Sequence, residues 1–219
     1  MKKRIILFII GLLLMAGISF LYFSQQKYNE EERKSTYHLT AEEKELIQEG
    51  DVILRHGFGL ISDAIVKYAQ DMYPVSHCGI IVKDSLGEFS VIHTVSNTLV
   101  DIDGMQQDGF DKFIKESHKN SLIIVRYHYE NDTAASTIAR CAKHYLSQQI
   151  PFDNKFDSND STAFFCTELI RNVFIKALNI DLYTLSPSAK TDCMSFSPFF
   201  QPAYFSFILN HCEGANNEP

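Results

Sequence analysis

Beyond its first four residues, the 219-residue chain has no cluster of lysine and arginine, and its formal net charge is −7. Nucleic-acid binding needs a basic stripe, and this chain carries no such footprint. The acidity serves solubility and says little about a substrate. Five cysteines occur (Cys78, Cys141, Cys166, Cys193 and Cys212), yet there is no Cys-x-x-Cys pair and no Cys/His spacing suited to a structural zinc site. Tryptophan is absent too. Apolar residues nevertheless make up 45% of the chain and aromatics 12%, which is a globular composition rather than a disordered one. There is no internal repeat. Only one apolar run is long enough to span a bilayer, so a single crossing is expected.

That run extends from Ile5 to Phe23, follows Lys2, Lys3 and Arg4, and contains no charge. About 17–25 such residues span a bilayer core as a helix. The run closes on Leu21-Tyr22-Phe23-Ser24-Gln25-Gln26, without a small-residue cleavage site and without a lipoprotein-type cysteine. An uncleaved anchor is therefore favoured over a cleaved signal. The leading positive charges should stay cytoplasmic, which predicts a single-pass protein of the cell membrane with the rest of the chain outside the cytoplasm. The expected division is an anchor over 1–24, a juxtamembrane linker or helix over 25–48, a globular domain over 49–212 and a tail over 213–219. About 160 residues suffice for one full core. Thr40 and Glu43 have the spacing of a capping box, which predicts a short helix running to Glu49 and ended by Gly50.

Within the domain, short strands are predicted at Asp51–Arg55, Val75–Val82, Phe89–Val95, Leu99–Ile102 and Leu122–Tyr129. Helical spacing marks Leu60–Ala69, Phe110–Glu116, Thr133–Gln149 and a segment capped by Ser161 or Thr162 and ending near Leu178. From Ser186 the chain reads as an irregular, proline-broken tail with an apolar stretch at Tyr204–Leu209. A helix, a meander of strands and then helices describe an α+β domain with an antiparallel sheet.

Two segments carry chemistry. Cys166 stands near the start of a predicted helix, where unpaired N–H groups and the positive end of the dipole favour thiolate. Its own N–H is a candidate oxyanion donor. His77 begins a strand in Ser76-His77-Cys78-Gly79-Ile80. A base on a strand facing a nucleophile at a helix start is the arrangement that acyl transfer through cysteine requires. A third group must orient the imidazole. His93 lies on the next strand, and a hairpin centred near Leu86 brings it beside His77. Cys78 and Cys141 read as small core residues. Cys193 and Cys212 are the pair best placed for a disulfide in an oxidising compartment, the alternative being five reduced thiols.

The segments Glu49-Gly50-Asp51-Val52-Ile53-Leu54-Arg55, Ser76-His77-Cys78-Gly79-Ile80 and Phe164-Phe165-Cys166-Thr167-Glu168-Leu169-Ile170, together with the loop Phe152-Asp153-x-x-Phe156, resemble the YiiX/YebB-like family. These are circularly permuted papain-like enzymes of the NlpC superfamily, in which the histidine precedes the cysteine. The resemblance covers roughly residues 49–180 and implies a permuted papain-like, NlpC-type domain with Cys166 as nucleophile and His77 as base. The family's third polar residue, often Glu, falls where this chain has His93. Such a His is found elsewhere in the superfamily, including the lecithin:retinol acyltransferase-like branch.

The resulting expectation is a cysteine amidase or peptidase-type hydrolase that forms a thioester and needs no metal or organic cofactor. Its substrate would be a cell-wall peptide or an N-acyl amino acid or lipid amide. Two alternatives are a non-catalytic ligand-binding module and an acyltransferase using the same Cys-His-His site. Candidates for substrate contact are Arg55, set against a surface charge; Tyr73, as a cleft or oxyanion group; and Glu168, set against pairing with Arg55 or capping the first helical turn.

Overall fold

The computed structural model describes residues 2–97, 102–128, 133–158, 160–185 and 193–212. Helix α1 (Lys2–Lys34) continues without a break from the apolar run through the polar segment after it. It is the one helix among the described residues long and apolar enough to cross a membrane. Helix α2 (Ala41–Glu45) is opened by the expected box, in which the Thr40 hydroxyl accepts from the Glu43 N–H and the Glu43 carboxylate from the Thr40 N–H.

The domain is built on six antiparallel strands: β1 (Val52–Arg55), β2 (His77–Lys83), β3 (Phe89–Val95), β4 (Gly104–Gly109), β5 (Ile123–Tyr127) and β6 (Phe205–Asn210). Their order is β4-β3-β2-β1-β5-β6. The central strands are apolar on both faces because both faces are covered. On one side Val52, Leu54, Cys78, Ile80, Ile92 and Val125 meet helices α5 (Ala134–Ser147) and α6 (Cys166–Leu178). On the other, Ile53, Ile81, Val91 and Ile124 meet Leu39, Ile47 and helix α4 (Phe110–Lys115). Helix α3 (Leu60–Ala69) follows β1, and helix α7 (Leu182–Leu185) follows α6.

The Gly50-Asp51 motif is structural. Gly50 has φ +91°, and a Cβ there would lie 2.7 Å from the Ala135 carbonyl oxygen. Asp51 is fully buried and takes two hydrogen bonds from the Arg126 guanidinium, at 2.7 and 2.8 Å. Arg126 stays partly exposed, so its loss would leave the buried Asp51 carboxylate as the unpaired charge.

Several sequence expectations shift. The strand that follows β3 is β4, a polar segment, whereas the strand expected at Leu99–Ile102 falls largely outside the described residues. Neither Ser161 nor Thr162 caps α6. That helix starts at Cys166, with Phe165 at the cap position, because Phe164 and Phe165 are buried in the core and fix where the chain turns. The apolar stretch near the C-terminus is the edge strand β6, which pairs with β5 rather than forming irregular tail. All five cysteines are free thiols; Cys193 accepts a hydrogen bond from Arg171 at 3.2 Å instead of bonding Cys212.

Candidate active site

Cys166 is the first residue of α6, a helix that packs on β2 and β3 and so brings its N-terminus to the start of β2. His77 is the first residue of β2. The two side chains are close enough to shift each other's ionisation, and both are partly exposed. The His77 Nε2 lies 2.9 Å from His93 Nδ1, and His93 Nε2 lies 3.2 Å from an Asp108 oxygen. Lys112 of α4 binds the other Asp108 oxygen at 2.8 Å. A hydrogen-bonded chain thus crosses β2, β3 and β4 and ends on an ion pair at the sheet edge.

The chain fixes the tautomers. Asp108 only accepts, so His93 carries its proton on Nε2 and offers the lone pair of Nδ1. His77 must then donate from Nε2, which leaves the lone pair on its Nδ1. A neutral imidazole in that tautomer can take a thiol proton.

Phe113 forms the floor of the site. Its ring centroid is 5.8 Å from that of His77 and 5.2 Å from that of His93, and the Arg55 guanidinium stacks 4.0 Å from it. This covering sets the electrostatics. Burial pushes His77 down to about 4, opposed by the Cys166 hydrogen bond and aided by His93 and Arg55. Burial, again with Arg55, lowers His93. The hydrogen bond from His93 holds the Asp108 carboxyl well below the carboxylate range. Cys166 is held well below an ordinary thiol, first by a hydrogen bond with the Cys78 thiol, then by His77 and by the Cys78 backbone N–H. The helix start adds in the same direction. Cys78 is raised by burial, so of the two thiols Cys166 is the one that ionises.

The structure therefore brings Cys166, His77 and His93 together. Arg55 is only 8% exposed; its Nη1 donates to the Phe113 carbonyl at 2.5 Å and to Glu116 at 3.4 Å. It does not pair with Glu168. Glu168 is 2% exposed and accepts from the Phe165 N–H at 3.4 Å, with burial raising its carboxyl to about 7. Tyr73 is partly exposed and meets Phe200 and Phe207 edge-on. Sequence reasoning missed Asp108, Phe113 and the contact of Cys78 with Cys166. Only Asp108 left a signal, as an acid just before a helix.

A family model described as the permuted papain-like amidase enzymes, YaeF/YiiX, C92 family, matches residues 46–195. The chain belongs to that family. Among solved structures it is similar to one titled the metalloprotein yiiX from Escherichia coli O157:H7, with a TM-score of 0.56 at 16% identity over 74% of this chain and 97% of that one. At that identity the likeness speaks to the fold alone. No curated protein matches. Cys166, His77, His93 and Asp108 all lie inside the matched span.

Proposed function

We propose that this family member is a membrane-anchored cysteine amidase whose catalytic domain lies outside the cytoplasm. The observation that carries the reading is the Cys166 thiol at the start of α6, interacting with a His77 whose Nε2 is held by His93 at 2.9 Å. His77 Nδ1 removes the thiol proton as the sulfur attacks an amide carbonyl. The Cys166 N–H, at the open start of α6, is the oxyanion donor for the tetrahedral intermediate. His77 returns the proton to the leaving amine, and a thioester remains on Cys166. The same base then activates water, which releases the acid and restores the thiol.

Tyr73 is the substrate-contact candidate with exposed surface. Arg55 and Glu168 have internal partners, and we assign them to holding the shape of the site. The apolar span in α1 and the positive charges before it support the anchored, outward orientation. That placement puts the thiol near cell-wall peptides and N-acyl amino acids or lipids, the substrate classes we favour.

Labelling with an electrophilic acyl probe tests the chemistry. Wild-type protein should be labelled and Cys166→Ala should not, with His77→Ala strongly slowed. Labelling that survives loss of Cys166 refutes the mechanism, and an unlabelled wild type favours a binding module. Product analysis with an added amine or alcohol separates hydrolysis from acyl transfer. For the address, protease added to intact cells should digest the domain; a domain protected until lysis contradicts the orientation.

A further inference from the structure

We infer that His56, Asp63 and His118 form a binding site for one divalent transition-metal ion of the zinc class, separate from the cysteine centre. One ligand atom from each of the three lies within 4.8 Å of the others, and it is the one such group among the described residues. Two imidazoles and a carboxylate are the donor set that zinc takes when a fourth position is left to water.

The backbone holds the two histidines in place. The His118 N–H donates to the His56 carbonyl at 2.8 Å, and Gly57 and Ser117 form an antiparallel bridge beside them. The rings stand 4.6 Å apart. Asp63 enters from the first turn of α3, with one oxygen 2.9 Å from His56 Nε2. The other oxygen accepts from the Tyr28 hydroxyl of α1. That bond is the outer-sphere partner a ligating carboxylate needs to keep its orientation.

One observation points specifically to a missing ligand. His118 Nε2 is buried and has no hydrogen-bond partner. Leaving such a nitrogen unsatisfied is costly, and a metal ion bound through it would remove the cost. The Tyr28 contact gives the site a consequence. Metal bound by Asp63 stiffens the joint between the anchor helix and the domain.

The test uses the full chain in detergent, stripped with chelator and titrated with Zn2+ and with Co2+. Wild type should bind one equivalent, and the cobalt form should show the intense visible absorption of a tetrahedral site. His118→Gln and Asp63→Asn should each lose binding by more than about 10-fold, and Tyr28→Phe should weaken it by up to about 10-fold. Cys166→Ala should keep it in full. Thermal midpoints of the stripped proteins show whether each variant is folded, and Asp63→Asn, on a partly exposed helix face, is the variant least exposed to misfolding. Stoichiometry lost in Cys166→Ala, or unchanged in folded Asp63→Asn, overturns the inference, as does a wild type that binds neither ion at micromolar concentration.

Discussion

His93 reaches His77 across a missing side chain. The His93 Nδ1 lies 2.9 Å from His77 Nε2, while a Cβ built on the intervening Gly79 would stand 3.2 Å from the His93 Cβ. Gly79 and His77 are two residues apart on β2 and so share a face. The His93 ring leans over the glycine to meet its diagonal neighbour.

Gly79→Ala is therefore expected to damage the site more than the fold. Its methyl would lie 2.5 Å from Val91 Cγ1 and 2.9 Å from the Ile92 carbonyl oxygen, both of them in β3. Overpacking of this kind costs about 1–3 kcal/mol. Thermal midpoints and amidase turnover on the same preparation check this: a modest stability loss should accompany a much larger loss of kcat/KM. Wild-type turnover in G79A would show that the close approach of β2 and β3 is not needed to hold His93.

The chain of tautomers makes His93 and Asp108 unequal. His93→Ala removes the group that orients His77 and should lower kcat/KM by on the order of 10²–10⁴. Asp108→Asn keeps an acceptor near His93 Nε2 but loses the charge, and about 10-fold is expected. Both effects should fall on kcat rather than KM, since neither residue touches substrate. Equal losses in the two variants would mean that Asp108 acts through the strand rather than through the ring.

Cys78 should tune the nucleophile. In Cys78→Ala the Cys166 thiolate keeps the backbone N–H but loses the thiol hydrogen bond, the largest influence holding it low. The pH midpoint for alkylation of Cys166 is expected to rise, and to rise less in Cys78→Ser, which retains a donor. An unmoved midpoint would assign the acidity of Cys166 to His77 and the helix start alone.

Activity should persist into acid. A protonated His77 cannot accept the thiol proton, so the acid limb of kcat/KM follows its ionisation. Burial lowers that from 6.5 to about 4. The rate constant is thus expected to hold from neutral pH to below pH 6 and to halve near pH 4. A limb at 6.5 or above would mean that the Phe113 floor does not exclude water from the imidazole.

The legible part of this protein was the part that obeys local rules. Cys166 is readable from its place near a helix start, His77 mainly from the ordered motifs that resemble the family, and His93 from the hairpin that joins β2 to β3. Asp108 is not, because its strand is Gly104-Met105-Gln106-Gln107-Asp108-Gly109, whose two glycines and polar residues have little β propensity. Pairing with β3 makes it a strand, from Ser90 opposite Gly109 to Val95 opposite Gly104. The start of α6 was misplaced for the same reason in reverse. Ser161 and Thr162 are good caps by type, but burial of Phe164 and Phe165 sets the turn. The inward turn of Arg55 depends on Phe113 and Glu116, about 60 residues away in sequence, and no local pattern announces it.

Glu168 should make the folded domain less stable as pH rises. Burial beneath the start of α6 raises its carboxyl from 4.5 to about 7. Between those values the folded state keeps a proton that the unfolded chain has released. The stability this group contributes is complete below about pH 4.5, declines as pH rises through the window, and is gone above about pH 7. The difference amounts to roughly 3 kcal/mol. Glu168→Gln retains an acceptor for the Phe165 N–H and cannot ionise, so it should remove this slope and exceed wild type in stability near pH 8 while matching it near pH 4. Denaturant unfolding of both proteins at the two pH values measures it. A parallel pH dependence in the two would mean that water reaches the Glu168 carboxylate and that the base of the nucleophile helix is wetter than its packing shows.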